Sequence, residues 1–268
     1  MKKINLREHQ LIALDILKYF DVICRENNIT YSLAGGTLIG AIRHNGFIPW
    51  DDDIDVYMCR DEYQKFVDIW QSQNDHKQYS ISLAEDIEGQ FCGEMTKIFD
   101  ENTLLVDPKG RKSGIFIDIF IYDAVPNNPD ILYKMMKKHR RLKLRFSSCK
   151  KRWKRAKEGS ISGKIFSTLS HYLFNKMTEN LTLFQKTYPI EKAEYIGLVL
   201  SDYGGWKKSY MPKNYFDDVI YVDFEGKKYP VMKGYHEHLT MYYGDYMTLP
   251  PEEEQKPHHT TEVYILEK

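Results

Sequence analysis

Asp51, Asp52, Asp53 and Asp55 occupy four of five successive positions inside "FIPWDDDIDVYM" (47–58), between apolar neighbours. Carboxylates crowded in this way repel one another, and a fold tolerates them chiefly when a cation or a proton neutralises them. Side chains alternate along a strand, so in "DIDVYM" Asp53 and Asp55 share one face while Ile54 and Val56 point into the core. A further acid, Asp118, stands alone among isoleucines and phenylalanines in "GIFIDIFIYDAVP" (114–126), the clearest strand of the chain. An unpaired buried carboxylate is expensive, so Asp118 needs a partner. If the two strands are sheet neighbours, Asp53, Asp55 and Asp118 converge on one point. That is a ligand set for one or two Mg²⁺ or Mn²⁺ ions, hard cations that take oxygen ligands and bridge phosphates.

A phosphate-binding half lies just upstream. Gly35-Gly36 end the short β-leaning stretch "TYSLA" (30–34) and precede a helix expected over Thr37–His44. Such a turn exposes backbone N–H groups where a phosphate can approach closely. Arg43 and His44, just beyond, would reach the same anion. Metal ligands, a glycine turn and an arginine together point to phosphate transfer. Three rivals fit less well. An EF-hand-like calcium loop would use Asp51, Asp53, Asp55 and Glu62 as positions 1, 3, 5 and 12, but position 6, which must be glycine, is Val56. A metal-dependent glycosyltransferase would hold a sugar nucleotide through Asp53-x-Asp55 and leave Gly35-Gly36 and Asp118 unexplained. A solvated acidic turn conflicts with the apolar flanks.

The elements that must position these residues follow from the periodicity. Ile12, Ile16, Phe20 and Ile23 recur at helical spacing and predict a helix over 6–27. Asp61 is expected to cap another helix running through Trp70. "YSISLA" (79–84) and "EMTKIFD" (94–100) read as strands, the latter carrying Lys97, a further phosphate contact or a solvated edge lysine. In 114–126, Ile115, Ile117, Ile119 and Ile121 share one face and Phe116, Asp118, Phe120 and Tyr122 the other. The pattern is helical from about 130 to 187, then "VIYVDFEGKKYPVM" (219–232) reads as a hairpin around Glu225-Gly226, followed by a helix over 233–243.

Lys and Arg number 38, as do Asp and Glu, so the formal net charge is zero. The balance conceals a segregation: residues 134–157 contain thirteen Lys or Arg and no acid. Charge separated in this way concerns partners rather than fold. The run would bind an anionic acceptor, dock on anionic lipid with Ile161, Ile165, Phe166, Leu169 and Leu173 as an apolar stripe, or form a solvated helix face. No nucleic-acid motif accompanies it. Four cysteines without a CxxC pair predict reduced thiols. The amino terminus shows no apolar signal region and no stretch approaches the roughly 20 apolar residues of a membrane span. The expected location is therefore cytoplasmic, with peripheral contact at the inner face of the plasma membrane.

"GGTLIGAIRHNGFIPWDDDIDV", "TKIFDENT", "GIFIDIFIYDAVP" and "YGDYMTLPPEEEQKPHH" together resemble the LicD family, bacterial phosphocholine transferases related to the fukutin proteins. The resemblance implies an α+β fold: a nucleotidyltransferase-like small mixed sheet with flanking helices, a largely helical middle segment, and a C-terminal hairpin and helix. The implied division is a catalytic core over 1–126, a basic helical segment over 127–215 for acceptor or membrane docking, and a C-terminal part over 216–268 packing on the core. The implied reaction is transfer of phosphocholine from CDP-choline to a hydroxyl of a lipid-linked glycan (teichoic acid, capsule or lipopolysaccharide precursor), releasing CMP. CDP-ribitol and CDP-glycerol are the alternative donors. On this chain Asp53 and Asp55 would hold the metal, and Asp118 would hold a second one or take the proton of the attacking hydroxyl. Gly35, Gly36, Thr37, Arg43, His44, Trp50 and Lys97 would bind the donor. A spacer of sixteen residues between Gly36 and Asp53 departs from the general nucleotidyltransferase pattern.

Weaker signals remain. Trp50 would stack on a base or a choline, or anchor its loop. Tyr203, Trp206, Tyr242 and Tyr243 are candidates for a choline cage, and His236-Glu237-His238 with His258-His259 for a structural metal. Glu252–Glu254 fall near a site or a domain contact.

Overall fold

The computed structural model describes residues 1–73, 75–76, 78–84, 95–157, 159–200, 210–257 and 262–267. The chain divides into two units, one from Met1–Ser82, Met95–Tyr122 and Lys213–Lys268, the other from Leu83–Glu94 and Asp123–Pro212.

The first unit is built on a mixed sheet. Its strands are β1 (Lys2–Lys3), β2 (Ser32–Leu33), β3 (Asp55–Cys59), β4 (Tyr79–Ser82), β5 (Thr96–Val106), β6 (Lys112–Val125, as far as Tyr122) and β11 (Glu262–Ile265). The order is β1-β11-β5-β6-β3-β2, with β4 also on β5. Only β3 and β6 run parallel; the other pairs are antiparallel. Ile54, Val56 and the four isoleucines of β6 are almost fully buried, as their alternation predicts. Asp118 and Tyr122 on the other face are buried as well, so the middle of the sheet is covered on both sides.

Helix α1 (Leu6–Glu26) opens with a capping box in which Asn5 Oδ1 accepts from the Glu8 N–H and Glu8 Oε2 accepts from the Asn5 N–H, each at 2.9 Å. Its apolar face buries Ile16, Leu17 and Phe20, and the Phe20 ring meets Tyr31 at 4.8 Å and Phe66 of α3 (Arg60–Ser72) at 5.0 Å. Asp61 does not cap α3. The strand β3 runs directly into the helix, Cys59 takes the cap position without a side-chain bond, and Asp61 falls in the first turn. There its charge still suits the positive helix end.

The C-terminal part of this unit holds the hairpin of β9 (Val219–Phe224) and β10 (Lys227–Met232), then α6 (Tyr235–Tyr243). Glu225 and Gly226 both take positive φ, 51° and 76°, the two-residue turn that a right-twisted hairpin favours. On α6, His238 packs edge-on against Tyr57 of β3, 5.4 Å between ring centres.

The second unit is dominated by a hairpin of two long helices, α4 (Pro129–Arg155) and α5 (Ile161–Thr187). Asn128 and Ser160 cap them through their side-chain oxygens. Leu132, Met136 and Phe146 of α4 and Leu173, Met177, Leu181 and Phe184 of α5 are buried. The last three residues of β6 pair with β7 (Tyr195–Gly197), which pairs with β8 (Tyr210–Pro212), strands inside a stretch expected to be helical. No helix among the described residues is long and apolar enough to cross a membrane. Cys24, Cys59 and Cys149 are free thiols, and Cys92 lies outside the described residues.

Candidate active site

Strand register brings the charged residues together. Asp55 of β3 stands opposite Asp118 of β6, and Asp118 stands opposite Lys97 of β5. The three lie in one row across three adjacent strands, where side chains point to the same face. Lys97 Nζ donates to Asp118 Oδ1 in an ion pair with side-chain exposures of 6% and 9%, and the ammonium sits 3.5 Å from the centre of the Phe116 ring. Lys97 is therefore not a solvated edge lysine: β5 is paired along both sides, and the lysine is enclosed with its carboxylate.

The remaining acids approach from the loop before β3. The strand begins at Asp55 rather than Asp53, so Asp51, Asp52 and Asp53 belong to the incoming segment. Their carboxylate oxygens lie within 4.8 Å of one another. Asp51 and Asp52 are buried and Asp53 is half-buried. Burial, and then the negative charges of Asp53 and Asp52, push Asp51 up to about 8. Asp55 is held well above the usual carboxylate range by burial and by Asp53, Asp118 and Asp51, with Lys97 opposing only part of this. Oxygen donors this dense, reluctant to ionise together, could hold a hard divalent cation. The residues fit such an ion.

The glycine pair explains how the acids are seated. Gly35 and Gly36 are not a turn ahead of the helix but the first two residues of α2 (Gly35–His44), with Ala34 as the cap. Gly35 has φ of 50°, and a Cβ there would lie 2.6 Å from Asp55 Oδ2. A Cβ on Gly36 would collide with Asp51 Oδ2. Both glycines let the positive end of α2 press against the carboxylates. Thr37 is tied to the same scaffold: its hydroxyl accepts from the Asp55 N–H at 2.9 Å.

Arg43 and His44 end α2, about 12 Å along its axis from Gly35 at 1.5 Å per residue. Arg43 Nη1 donates to the carbonyls of Tyr246 (2.7 Å) and Thr248 (3.3 Å), and Nε to His44 Nε2 (3.0 Å). This geometry turns the pair toward the 246–248 segment rather than toward the acids, and gives Arg43 an anchoring part. Trp50 is half-buried next to Asp51 in the chain. On α6, His236 Nδ1 pairs with the Tyr246 hydroxyl at 2.9 Å, whereas His238 is buried against Tyr57 and Tyr242. The two histidines have separate surroundings, so they form no metal pair. Tyr242 is buried and Tyr243 exposed; Tyr203, Trp206, His258 and His259 lie outside the described residues. Glu252–Glu254 form an exposed 3₁₀ turn.

Two supports of the acid loop carry no obvious mark in the sequence. Gln10 Nε2, buried on α1, donates to the Asp51 carbonyl at 2.8 Å. Its signal was a polar residue at a core position of an amphipathic helix. Glu225, in the hairpin turn, accepts from the Phe47 N–H at 3.2 Å and pairs with both terminal nitrogens of Arg7, at 3.2 and 2.6 Å. Nothing local distinguished it from any turn glutamate.

Comparison with known proteins places this arrangement. The model of the family described as LicD/FKTN/FKRP, nucleotidyltransferase domain, matches residues 28–155. A protein of Haemophilus influenzae named lipopolysaccharide cholinephosphotransferase LicD is 66% identical over 266 residues, covering 99% of this chain and 100% of that protein. An uncharacterised protein of Rickettsia typhi is 34% identical over 129 residues, 48% of this chain and 38% of its own length. Another, from Rickettsia prowazekii, is 35% identical over 63 residues, 23% of this chain and 24% of its own. Identity at the level of the Haemophilus protein, sustained from end to end of both chains, leaves one conclusion: the chain belongs to the LicD family.

Proposed function

We propose that the chain transfers phosphocholine from CDP-choline to a hydroxyl of a lipid-linked surface glycan, with lipopolysaccharide as acceptor, and releases CMP. It is a phosphotransferase of the phosphocholine-transferase (LicD) type. The observation that carries the choice of alcohol and acceptor is the full-length identity to a lipopolysaccharide cholinephosphotransferase.

In this reaction the acceptor oxygen forms a bond to the choline-bearing phosphorus, the bridging P–O bond to CMP breaks, and the hydroxyl proton needs a base. Asp53 and Asp55 would hold Mg²⁺ with Asp51 and Asp52 beside them; when bound, the ion neutralises the diphosphate and stabilises the departing CMP. Asp118, kept beside the Lys97 ammonium, is the base for the acceptor hydroxyl. Lys97, paired with Asp118, would also offer its charge to the transferred group. The α2 end at Gly35-Gly36, which presses on Asp55 and Asp51, would turn its backbone N–H groups to the donor phosphates beside them, positive partial charges that need no reorganisation during reaction.

The test is nucleotide release from CDP-choline, CDP-ribitol, CDP-glycerol and UDP-sugars, each with Mg²⁺ and lipopolysaccharide acceptor. CMP from CDP-choline together with choline-modified acceptor is expected. CMP from a CDP-alditol alone, or UDP from a sugar nucleotide, would overturn it.

A further inference from the structure

We infer that the outer face of α5 is a docking surface for a bilayer carrying anionic headgroups. This helix has two apolar faces. One, with Leu173, Met177, Leu181 and Phe184, is buried in the second unit. The other is exposed among the described residues: Ile161 is 80% exposed, Ile165 57%, Leu169 40%, Tyr172 55% and Leu183 65%. At about 100° per residue these five fall within an arc of roughly 80°; Ile161, Ile165, Leu169 and Tyr172 form a continuous stripe near the start of the helix, and the ion pair of Lys176 and Glu179, in the same arc, separates Leu183 from it. Exposed apolar surface gathered in this way marks an interaction site rather than scattered surface residues.

The surrounding charge selects the occupant. Between Asp130 and Glu179 the chain carries fifteen Lys or Arg and one acid, Glu158. Lys151, Arg152, Lys154, Arg155 and Lys157, at the end of α4 and in the turn to α5, are all exposed. A second copy of the chain would bring the same positive field against itself. An anionic bilayer instead receives an apolar stripe and a cationic flank together, the combination of an interfacial amphipathic helix. A cleft of about 610 Å³ at this turn, lined by Trp153, Lys157, Ser160 and Lys164, offers a lipid phosphate two ammonium groups.

The inference is independent of the transfer chemistry and is tested without donor or acceptor. The full chain is sedimented with vesicles of phosphatidylcholine alone or mixed with phosphatidylglycerol, at low and high salt. Wild type is expected on the mixed vesicles, with binding weakened by salt. Changing Ile161, Ile165 and Leu169 together to Asn should weaken that partition roughly hundredfold or more, with the melting curve unchanged because these side chains are exposed. If that variant melts early, Tyr172→Asn alone serves as the second probe, expected to weaken partition severalfold. Changing Lys151, Arg152, Lys154 and Arg155 to Gln should abolish the preference for the anionic vesicles. Equal partition of stripe variants and wild type would overturn the inference. So would indifference to phosphatidylglycerol, or a wild-type dimer that the stripe variant converts to monomer.

Discussion

Where β3 meets β6, Asp55 and Asp118 stand in one row with the buried Lys97, and Asp51, Asp52 and Asp53 cluster in the loop before β3; along α4 and the turn after it run thirteen basic residues, most of them exposed. Both regions concentrate one sign of charge, and the fold treats them differently. Among the acids, burial makes each neighbour's charge felt strongly, so Asp51 and Asp55 resist ionisation. On the helix, solvent and salt screen the lysines and arginines from one another within about 10 Å, and the charge costs the fold little. Enclosed charge acts inward, on the ionisation of its own neighbours. Exposed charge acts outward, on whatever surface approaches. A run of like charges in a sequence is therefore interpretable only through the apolar residues that flank it.

Mutations should separate the two regions sharply. Asp55→Asn is expected to lower transfer at least about thousandfold, while raising the melting temperature of the metal-free protein, because it replaces a carboxyl that burial, Asp53 and Asp118 hold against ionising. A wild-type rate at saturating Mg²⁺ would break the contrast. Lys97→Met removes the buried ion pair with Asp118 and should cost roughly 3–5 kcal/mol in urea unfolding. Adding Asp118→Leu should recover most of that stability and none of the activity. Gly36→Ala forces a methyl onto Asp51 and should cost about 1–3 kcal/mol, with a loss of Mg²⁺ affinity that a distant overpacked site would not show.

His238 sharpens the comparison through pH. Burial lowers it from 6.5 to about 4, so the folded state prefers the neutral ring. The unfolded chain binds the extra proton first, so this contribution to stability is complete above 6.5 and fades as pH falls toward 4. His238→Phe should flatten that part of the stability curve by roughly 1–3 kcal/mol, read from melts between those pH values. At the small end, Lys154→Gln should change stability by no more than about 0.5 kcal/mol and leave turnover on a soluble acceptor unaltered.

Long-period features of the fold were readable in advance. The isoleucine alternation of β6, the stripe of α1 and the Glu225-Gly226 turn each carry their own physical signature, and each appears as expected. The short strands β1, β7, β8 and β11 do not, because two to four residues become a strand only by having a partner. At the site, the residue types Asp, Gly and Lys were conspicuous, but their register was not. That Lys97 faces Asp118 follows from how β5 pairs with β6, and that Gly36 presses on Asp51 follows from the path of the 45–51 loop. Gln10 and Glu225 reach that loop from remote parts of the chain, through contacts no local pattern encodes.

β11 joins Glu262–Ile265 to β5 and to β1 at Lys2–Lys3, so the first and last strands described are sheet neighbours. This sets a timetable for synthesis. Residues 123–212 of the second unit leave the ribosome as one run, whereas the acid-bearing sheet must wait for its closing strand, 143 residues after Tyr122. At translation rates of about 5–20 residues per second that interval is roughly 7–30 s. During it the edge of β5 that β11 will occupy is an open template for strand pairing. A nascent chain of this protein therefore passes through an interval in which a chaperone at the tunnel exit has a defined edge to shield.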